Sequence, residues 1–399
     1  MYRSYRMLFI LLVFALGFGA CAPIRALRWW QPDLDDSSKF HAAHMLKATI
    51  PFRFKEATTF DRYQKLSGYL DTVLKGTNTN AFVVVKNDSI IYENYADQVN
   101  KNTLHPSFSV AKSYIGTLTG MLIDDGSIGS ANDLVIRYLP ELEKNDPRFR
   151  KLTLQHVLDM RAALDFDEDQ ETPFAGITKL YYGSALSNQV SKLKLKGEPG
   201  LKFEYQSMAT QLLASVLERA TGKTLQSLFS AYIWQPLGAE SDALWSMDDH
   251  QTIKAFCCLN ATARDFAKLG RLYLNKGKWE GKQLLSERWI NQSTAPDTLF
   301  TKGYKNQFWA VSDTRYFKDS LEAAKQRKDL GATSKLRKNT RGNFYFSVKT
   351  EEFRAEGILG QIVYVNPKNN LIIVRMGNYP SKNIYFNGLI PEIGRKLNY

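Results

Sequence analysis

Cysteine is scarce in this chain, with three residues in 399, and two of them, Cys257 and Cys258, are adjacent. A small scaffold held by disulfides is therefore excluded. Neighbouring cysteines close a bridge only with strained geometry, so no structural disulfide and no cysteine-based metal site is expected. Histidine is rarer than any aromatic type, with five residues. His105, His156 and His250 invite a Ser-His-Asp reading, but His156 lies on a helical apolar pattern in "LTLQHVLDM" and reads as a hydrogen-bonded structural residue. His250 has Asp248 and Asp249 beside it, yet no second histidine and no Cys-x-x-Cys accompanies them, so no metal is expected. The sequence also lacks internal repeats, low-complexity tracts, nucleic-acid motifs and any apolar run of the about 20 residues that a membrane helix needs.

What is present is a globular composition, 44% hydrophobic and 23% charged, enough to bury one large core or two interlocked ones. Arg3 and Arg6 precede an apolar run from Met7 to Phe18, then Gly19, Ala20 and Cys21. Residues 1–20 therefore read as a secretion signal. The ending "GFGAC" resembles a bacterial lipoprotein box, although Phe18 stands where leucine is commoner. The resemblance implies a lipidated Cys21 as the first mature residue, on a protein facing the periplasm or cell envelope. An ordinary cleaved signal, giving a soluble periplasmic protein, and an uncleaved short anchor are the alternatives. The formal charge of +13 is scattered along the chain. It suits either an exported protein near anionic lipid or cell-wall polymer or a simply solvated surface.

Residues 21–58, with "RWWQPDLDDSSKFHAAHML", read as a tether that partly docks, leaving 59–399 as the main domain. "FDRYQKLSGYLDTVL" has apolar residues at helical spacing, and "AFVVVKNDSIIYENY" reads as a hairpin turning at Asn87-Asp88-Ser89. A helix runs from Ser109 to the stop at Asp124-Asp125-Gly126, and helices with no convincing strand continue to about residue 295. Strands return in "GNFYFSVK", "GQIVYVN" and "LIIVRMGN", before a closing helix near Ile384–Leu397. The expectation is an α/β (α+β) fold: a central antiparallel sheet built from both ends of the chain, flanked by helices, with a mostly helical region of about 130–300 inserted. Residues 312–340 are charge-rich and weakly apolar, and read as an exposed insertion with a short helix and a mobile loop.

Chemistry concentrates in "HPSFSVAKSYIG", where Ser109 and Lys112 stand three apart on one helical face. A serine hydroxyl is a poor nucleophile until a base takes its proton, and a neutral lysine one turn away can do so. Lysine ordinarily titrates near 10.4, so acting near pH 7 requires lowering by about three pH units, about 4 kcal/mol, through burial or a neighbouring cation. Phe108, Val110, Ala111 and Ile115 offer that burial. The pattern alone is weak, because Ser191-Lys192-Leu193-Lys194 repeats it in an exposed segment with nothing apolar to bury an amine. Tyr205, in "FEYQSMATQLLASVLERATGK", can shuttle a proton if a cation lowers its pKa, or can be an aromatic packed at a junction. Gly357 and Gly360, in "FRAEGILGQIVYVN", open a strand edge along which substrate can lie, or mark a bulge.

The ordered segments "FSVAKS", "LDMRAALDFDED", "FEYQSMATQLLASVLERATGK", "ATARDFAKLGRLYLNKGKWEGKQLL" and "EGILGQIVYVNP" resemble the class C β-lactamase-related serine hydrolases. That family includes penicillin-binding carboxypeptidases, esterases and 6-aminohexanoate-dimer hydrolases, and the resemblance covers most of the chain from about residue 60. It implies Ser109 as acylated nucleophile, Lys112 as its base and Tyr205 as general acid/base. It also implies an oxyanion hole from the N–H groups of Ser109 and Ile358, with Gly357, Ser207 and Glu356 bordering the substrate. Ser207 stands where many relatives carry asparagine, a departure shared with amide-hydrolysing relatives. Ala355 stands where many carry Lys or His, which weakens the case for β-lactamase or D,D-peptidase activity; a basic side chain from 312–340 is the candidate substitute. Asp165, Asp167, Glu168 and Asp169 form an acidic loop that either borders the site or is simply solvated. The expected function is an exported serine hydrolase for small amides or esters, without cofactor or nucleic acid, its partners being such a substrate, possible cell-wall peptide and the membrane through its anchor. Alternatives are a cell-wall D,D-peptidase or β-lactamase-like enzyme and a catalytically lapsed, lipid-anchored binding protein.

Overall fold

The computed structural model describes residues 22–29, 31–57, 60–168, 172–295, 303–381 and 384–397. The signal at 1–20, Cys21 and Asp169 lie outside these described residues. The elements used below are helices α1 (Ala22–Trp29), α2 (Phe60–Leu74), α3 (Val110–Asp124), α4 (Ser207–Thr221), α5 (Ala263–Leu274), α6 (Ser320–Asp329) and α7 (Phe386–Lys396). The strands are β1 (His41–Met45), β2 (Thr79–Lys86), β3 (Ser89–Tyr95), β4 (Ala243–Met247), β5 (Leu259–Ala261), β6 (Phe308–Phe317), β7 (Phe344–Gly357), β8 (Gln361–Asn366) and β9 (Leu371–Gly377).

Consecutive apolar residues in β2, β8 and β9 reflect burial on both faces of one sheet, as runs of this kind do when helices cover each side. The alternation of strand side chains divides them. Val83, Val85, Val363, Val365, Ile372 and Val374 join the core that contains α3. Phe82, Val84, Ile362, Tyr364, Leu371 and Ile373 face Leu66 and Leu70 of α2 and Phe386, Ile390 and Ile393 of α7. The order β6-β7-β8-β9-β2-β3 brings both ends of the chain into one sheet, with Ile373 opposite Val84. These pairs are antiparallel, and only the two-residue strand Lys55–Glu56 at the edge runs parallel to β3. The expected architecture is thus the one observed.

Three expectations are overturned. The stretch before residue 295 is not strand-free: β4 and β5 form a second small sheet with β1 and with His105–Pro106. These strands are three to five residues long or shorter, too brief for alternation to stand out, and β1 pairs with β4 some 200 residues away. A strand therefore emerges from the segment read as a tether. The charged stretch is also more ordered than expected, since β6 pairs with β7 out to Phe317 opposite Phe344, and α6 follows as the expected short helix. Finally, Cys257 and Cys258 are joined by a disulfide, contrary to the expectation of none. A tight, buried turn with Cys258 at φ 69° brings the two side chains together.

Candidate active site

Helix α3 is buried on all sides from Val110 to Leu122, so its first turn opens inside the molecule. Phe108 adopts φ 42°, an uncommon conformation for a bulky residue, and this sharp turn delivers Ser109 to the helix start. Lys112 follows one turn later, only 1% exposed. Its Nζ lies 2.7 Å from Ser109 Oγ and donates to the Phe256 carbonyl at 2.9 Å. The rings of Tyr205 and Phe256 lie 5.0 and 5.8 Å from the same nitrogen. Burial lowers the Lys112 pKa to about 7, with Glu168 pulling it back upward. This is the displacement that the sequence required, and its cause is desolvation. The rival motif lacks it, because Lys192 and Lys194 are exposed.

Tyr205 lines the cleft beside Ser109, and its ring stacks 6.0 Å from Trp309 and meets Tyr304 edge-on at 5.8 Å. The condition that a cation lower its pKa is not met. Burial raises the Tyr205 pKa, with Glu168 and Glu356 adding to the rise and the Ser109 hydroxyl opposing it. A lysine that is itself losing its charge near neutrality supplies no lasting cation to reverse this. Tyr205 therefore stays a neutral phenol, able to donate and relay a proton but not resting as phenolate.

Strand β7 ends at Gly357 directly over the turn that leads into Ser109. A Cβ at Gly357 would fall 2.5 Å from the Ser107 carbonyl oxygen and 3.0 Å from Ser109 N, so only glycine allows this approach. Ile358 follows, then Leu359 at φ 60°, which turns the chain into β8. Behind this turn lies Arg375, fully buried in β9, a residue that the sequence reading passed over. Its guanidinium donates to the carbonyls of Leu359, Gly360, Thr77, Asn78 and Asn378 and to Thr79 Oγ1. It also lies 4.0 Å from the Phe386 ring centroid, so it ties the Ile358–Gly360 turn to the 377–380 loop and the start of α7. The signal was an arginine inside the otherwise apolar run "LIIVRMGN".

The resulting cleft of about 370 Å³ is lined by Ser109, Tyr205, Trp309, Glu356, Gly357 and Ile358, with Gly360, Tyr379–Pro380 and Ile384–Asn387 completing the wall. Glu356 accepts from Arg354 Nε at 2.8 Å and Asn387 Nδ2 at 2.6 Å. Ser207 is bound from the acidic loop, since both its N–H and its hydroxyl donate to Glu168 at 2.6 Å. Among the described residues of that loop, Glu168 is thus the one that reaches the site. Ala355 is buried in the core, and among the described residues no lysine or arginine lines the cleft, nor does any residue of 312–340. The proposed substitute cation from that segment is not there, because β6 carries the segment away along the sheet edge. His156 takes part in the capping box at Thr153. No cluster of metal-ligating side chains occurs among the described residues, and none of their helices is long and apolar enough to cross a membrane.

A sheet drawn from both ends of the chain, backed by a buried helix with serine and lysine at its start, is the architecture of the β-lactamase and penicillin-binding fold. The family model named Beta-lactamase matches residues 70–391, and the chain belongs to that family of serine hydrolases, which act through an acyl-enzyme. The 6-aminohexanoate-dimer hydrolase of Paenarthrobacter ureafaciens is 27% identical over 347 residues, covering 82% of this chain and 81% of that protein. A Bacillus anthracis structure with a provisional 6-aminohexanoate-dimer hydrolase name superimposes with a TM-score of 0.69 at 25% identity, over 93% of this chain and 92% of its own. A penicillin-binding protein from Bacillus halodurans shares the fold, with a TM-score of 0.58 at 15% identity over 82% and 99% of the two chains.

Proposed function

We propose that this protein hydrolyses small linear amides or esters, with Ser109 as nucleophile, Lys112 as its base and Tyr205 as proton relay. The observation that carries this reading is the buried Lys112 amine 2.7 Å from Ser109 Oγ, with its pKa lowered to about 7. Neutral Lys112 takes the hydroxyl proton as Oγ attacks the carbonyl carbon, and the N–H groups of Ser109 and Ile358 are the assigned donors to the oxyanion. Tyr205 gives its proton to the leaving nitrogen or oxygen and recovers one from Lys112. A water then attacks the acyl-serine through the same groups, regenerating Ser109 and releasing the acid.

The cleft walls of Trp309, Ile358, Tyr385 and Phe386 suit an apolar acyl chain. The similarity to an amide-cleaving 6-aminohexanoate-dimer hydrolase supports the amide branch. Treatment with a fluorophosphonate and with a labelled penicillin, followed by mass mapping, tests the proposal. Labelling of Ser109 by the fluorophosphonate alone is the expected outcome. Penicillin labelling would turn the reading to a cell-wall peptidase, and no adduct, or an equal adduct in Ser109→Ala, would end it. We further propose export, with Cys21 as the lipidated N-terminus. An acyl-glyceryl mass on Cys21 is expected, and an intact Met1 would refute it.

A further inference from the structure

The nitrogen of a general-base lysine must offer its lone pair to the serine proton, so its own N–H groups have to be engaged elsewhere. In this protein the acceptor is the carbonyl of Phe256, at 2.9 Å. That carbonyl immediately precedes the Cys257–Cys258 disulfide. The bridge confines the two residues to a small ring, and Cys258 is held at φ 69°, a conformation that an unrestrained side-chain-bearing residue seldom keeps. The surrounding backbone is fastened on both sides. Trp245 Nε1 donates to the Cys257 carbonyl at 2.7 Å, Asn260 Nδ2 to the Cys258 carbonyl at 3.0 Å, and Gln211 Oε1 accepts from Ala255 N at 3.0 Å. Leu259, the next residue, exchanges two hydrogen bonds with Ser107, its carbonyl taking the Ser107 N–H at 2.7 Å and its N–H donating to Ser107 Oγ at 3.1 Å. One short segment therefore touches both the base and the turn that delivers the nucleophile.

We propose that the Cys257–Cys258 bridge is a redox-sensitive positioning element for Lys112, which holds the Phe256 carbonyl against the amine and so sets its orientation toward Ser109. The inference rests on the assignment of Lys112 as base. Reduction by a dithiol breaks the S–S bond, with two electrons and two protons passing to Cys257 and Cys258 while the dithiol closes to its own disulfide. The freed Cys258 is then able to leave the left-handed region, and the Phe256 carbonyl loses its fixed aim. A misplacement of about 1 Å in such a group lowers rates by as much as about 100-fold. Access is slow because both cysteines are buried, which gives the bridge persistence in an oxidising compartment.

The test compares the full-length oxidised protein, the same protein after native dithiothreitol treatment, and the Cys257→Ala/Cys258→Ala variant, with thiol content read by alkylation and mass. Ester hydrolysis is followed against pH. The expected result is a kcat at least tenfold lower in the variant, with KM within about twofold, a displaced acid-limb midpoint and an unchanged far-UV spectrum. Wherever dithiothreitol opens the bridge, the same change should appear and reverse on reoxidation. A variant with kcat and midpoint within twofold of the oxidised protein overturns the proposal, as do two free thiols in the untreated active protein. Titration of the Lys112 side chain by ¹³C NMR is the readout that needs no turnover. If the oxidised protein fails to label at Ser109, the functional reading falls, while a Lys112 midpoint that moves on loss of the bridge still supports the positioning role.

Discussion

Replacing Lys112 with methionine removes a charge that the folded chain is poorly able to hold, and its effect on stability depends on pH in a way that can be worked out. The amine titrates near 7 in the fold against an ordinary 10.5. Below pH 7 both folded and unfolded chains carry the proton, and the fold bears the whole expense of burying it. The interval between the two values, at about 1.4 kcal/mol per pH unit, comes to about 5 kcal/mol. Between pH 7 and 10.5 the unfolded chain binds a proton that the folded chain does not, so wild-type stability rises with pH across that window. At pH 10 the residual penalty is about 1 kcal/mol.

Methionine matches the length of the stem and carries no charge, but leaves the Phe256 carbonyl without its donor, at about 1–3 kcal/mol. Lys112→Met is therefore expected to exceed the wild type by about 2–4 kcal/mol at pH 6 and to equal it or fall below it at pH 10. The decline of about 4 kcal/mol between those pH values does not depend on the hydrogen-bond term. Urea unfolding followed by tryptophan fluorescence at pH 6, 8 and 10 measures it by linear extrapolation. A difference that stays constant to within about 1 kcal/mol over that range would show that the amine is not desolvated as described. The variant should also be inactive, which separates a functional lysine from one retained for stability.

Glu168 raises the Lys112 pKa, so Glu168→Gln should move the acid limb of kcat/KM below the wild-type midpoint of about 7, as a pH profile of ester hydrolysis would show. Gly357→Ala drives a Cβ into the Ser107 carbonyl and the Ser109 N–H; kcat should fall on the order of 100- to 1000-fold, as when an oxyanion donor is lost, and a wild-type rate would refute the close approach. Arg375→Met leaves several buried carbonyls unpaired and should cost more than about 3 kcal/mol in chemical denaturation, with Arg375→Lys recovering only part of it.

Much of this fold was legible because its strands are covered on both faces, which writes them as unbroken apolar runs such as "FVVV", "IVYV" and "LIIV". The buried character of the Lys112 helix was legible for the same reason. Short strands were not, since β4 and β5 acquire their identity from partners distant in sequence rather than from their own alternation. The candidate serine and lysine could be named from spacing, but the lysine's hydrogen-bond acceptor at Phe256 is a backbone carbonyl, which no residue type announces. The raised Tyr205 pKa was not legible in its own segment, because the rings that surround it, Tyr304 and Trp309, come from a part of the chain distant in sequence.

The backbone around the site shows why its geometry resists reading from side chains. Phe108, Cys258 and Leu359 all occupy positive φ, at 42°, 69° and 60°, and none is glycine. Each adjoins a group that the proposed chemistry uses: Ser109, the segment carrying the Phe256 carbonyl, and Ile358. Such conformations cost about 1–3 kcal/mol apiece and persist only where surrounding contacts over-determine them. The contacts differ at each position. At Phe108 it is burial in the core with Gly357 pressed over the turn; at Cys258 it is the disulfide and the Asn260 hydrogen bond; at Leu359 it is the Arg375 clamp on its carbonyl at 2.6 Å. Glycine at any of the three would relieve the local strain yet enlarge the unfolded ensemble and loosen the turn. The three turns therefore tie the precision of the proposed nucleophile, base and oxyanion donor to tertiary contacts, of which the disulfide is the one that a change of redox state can remove without mutation.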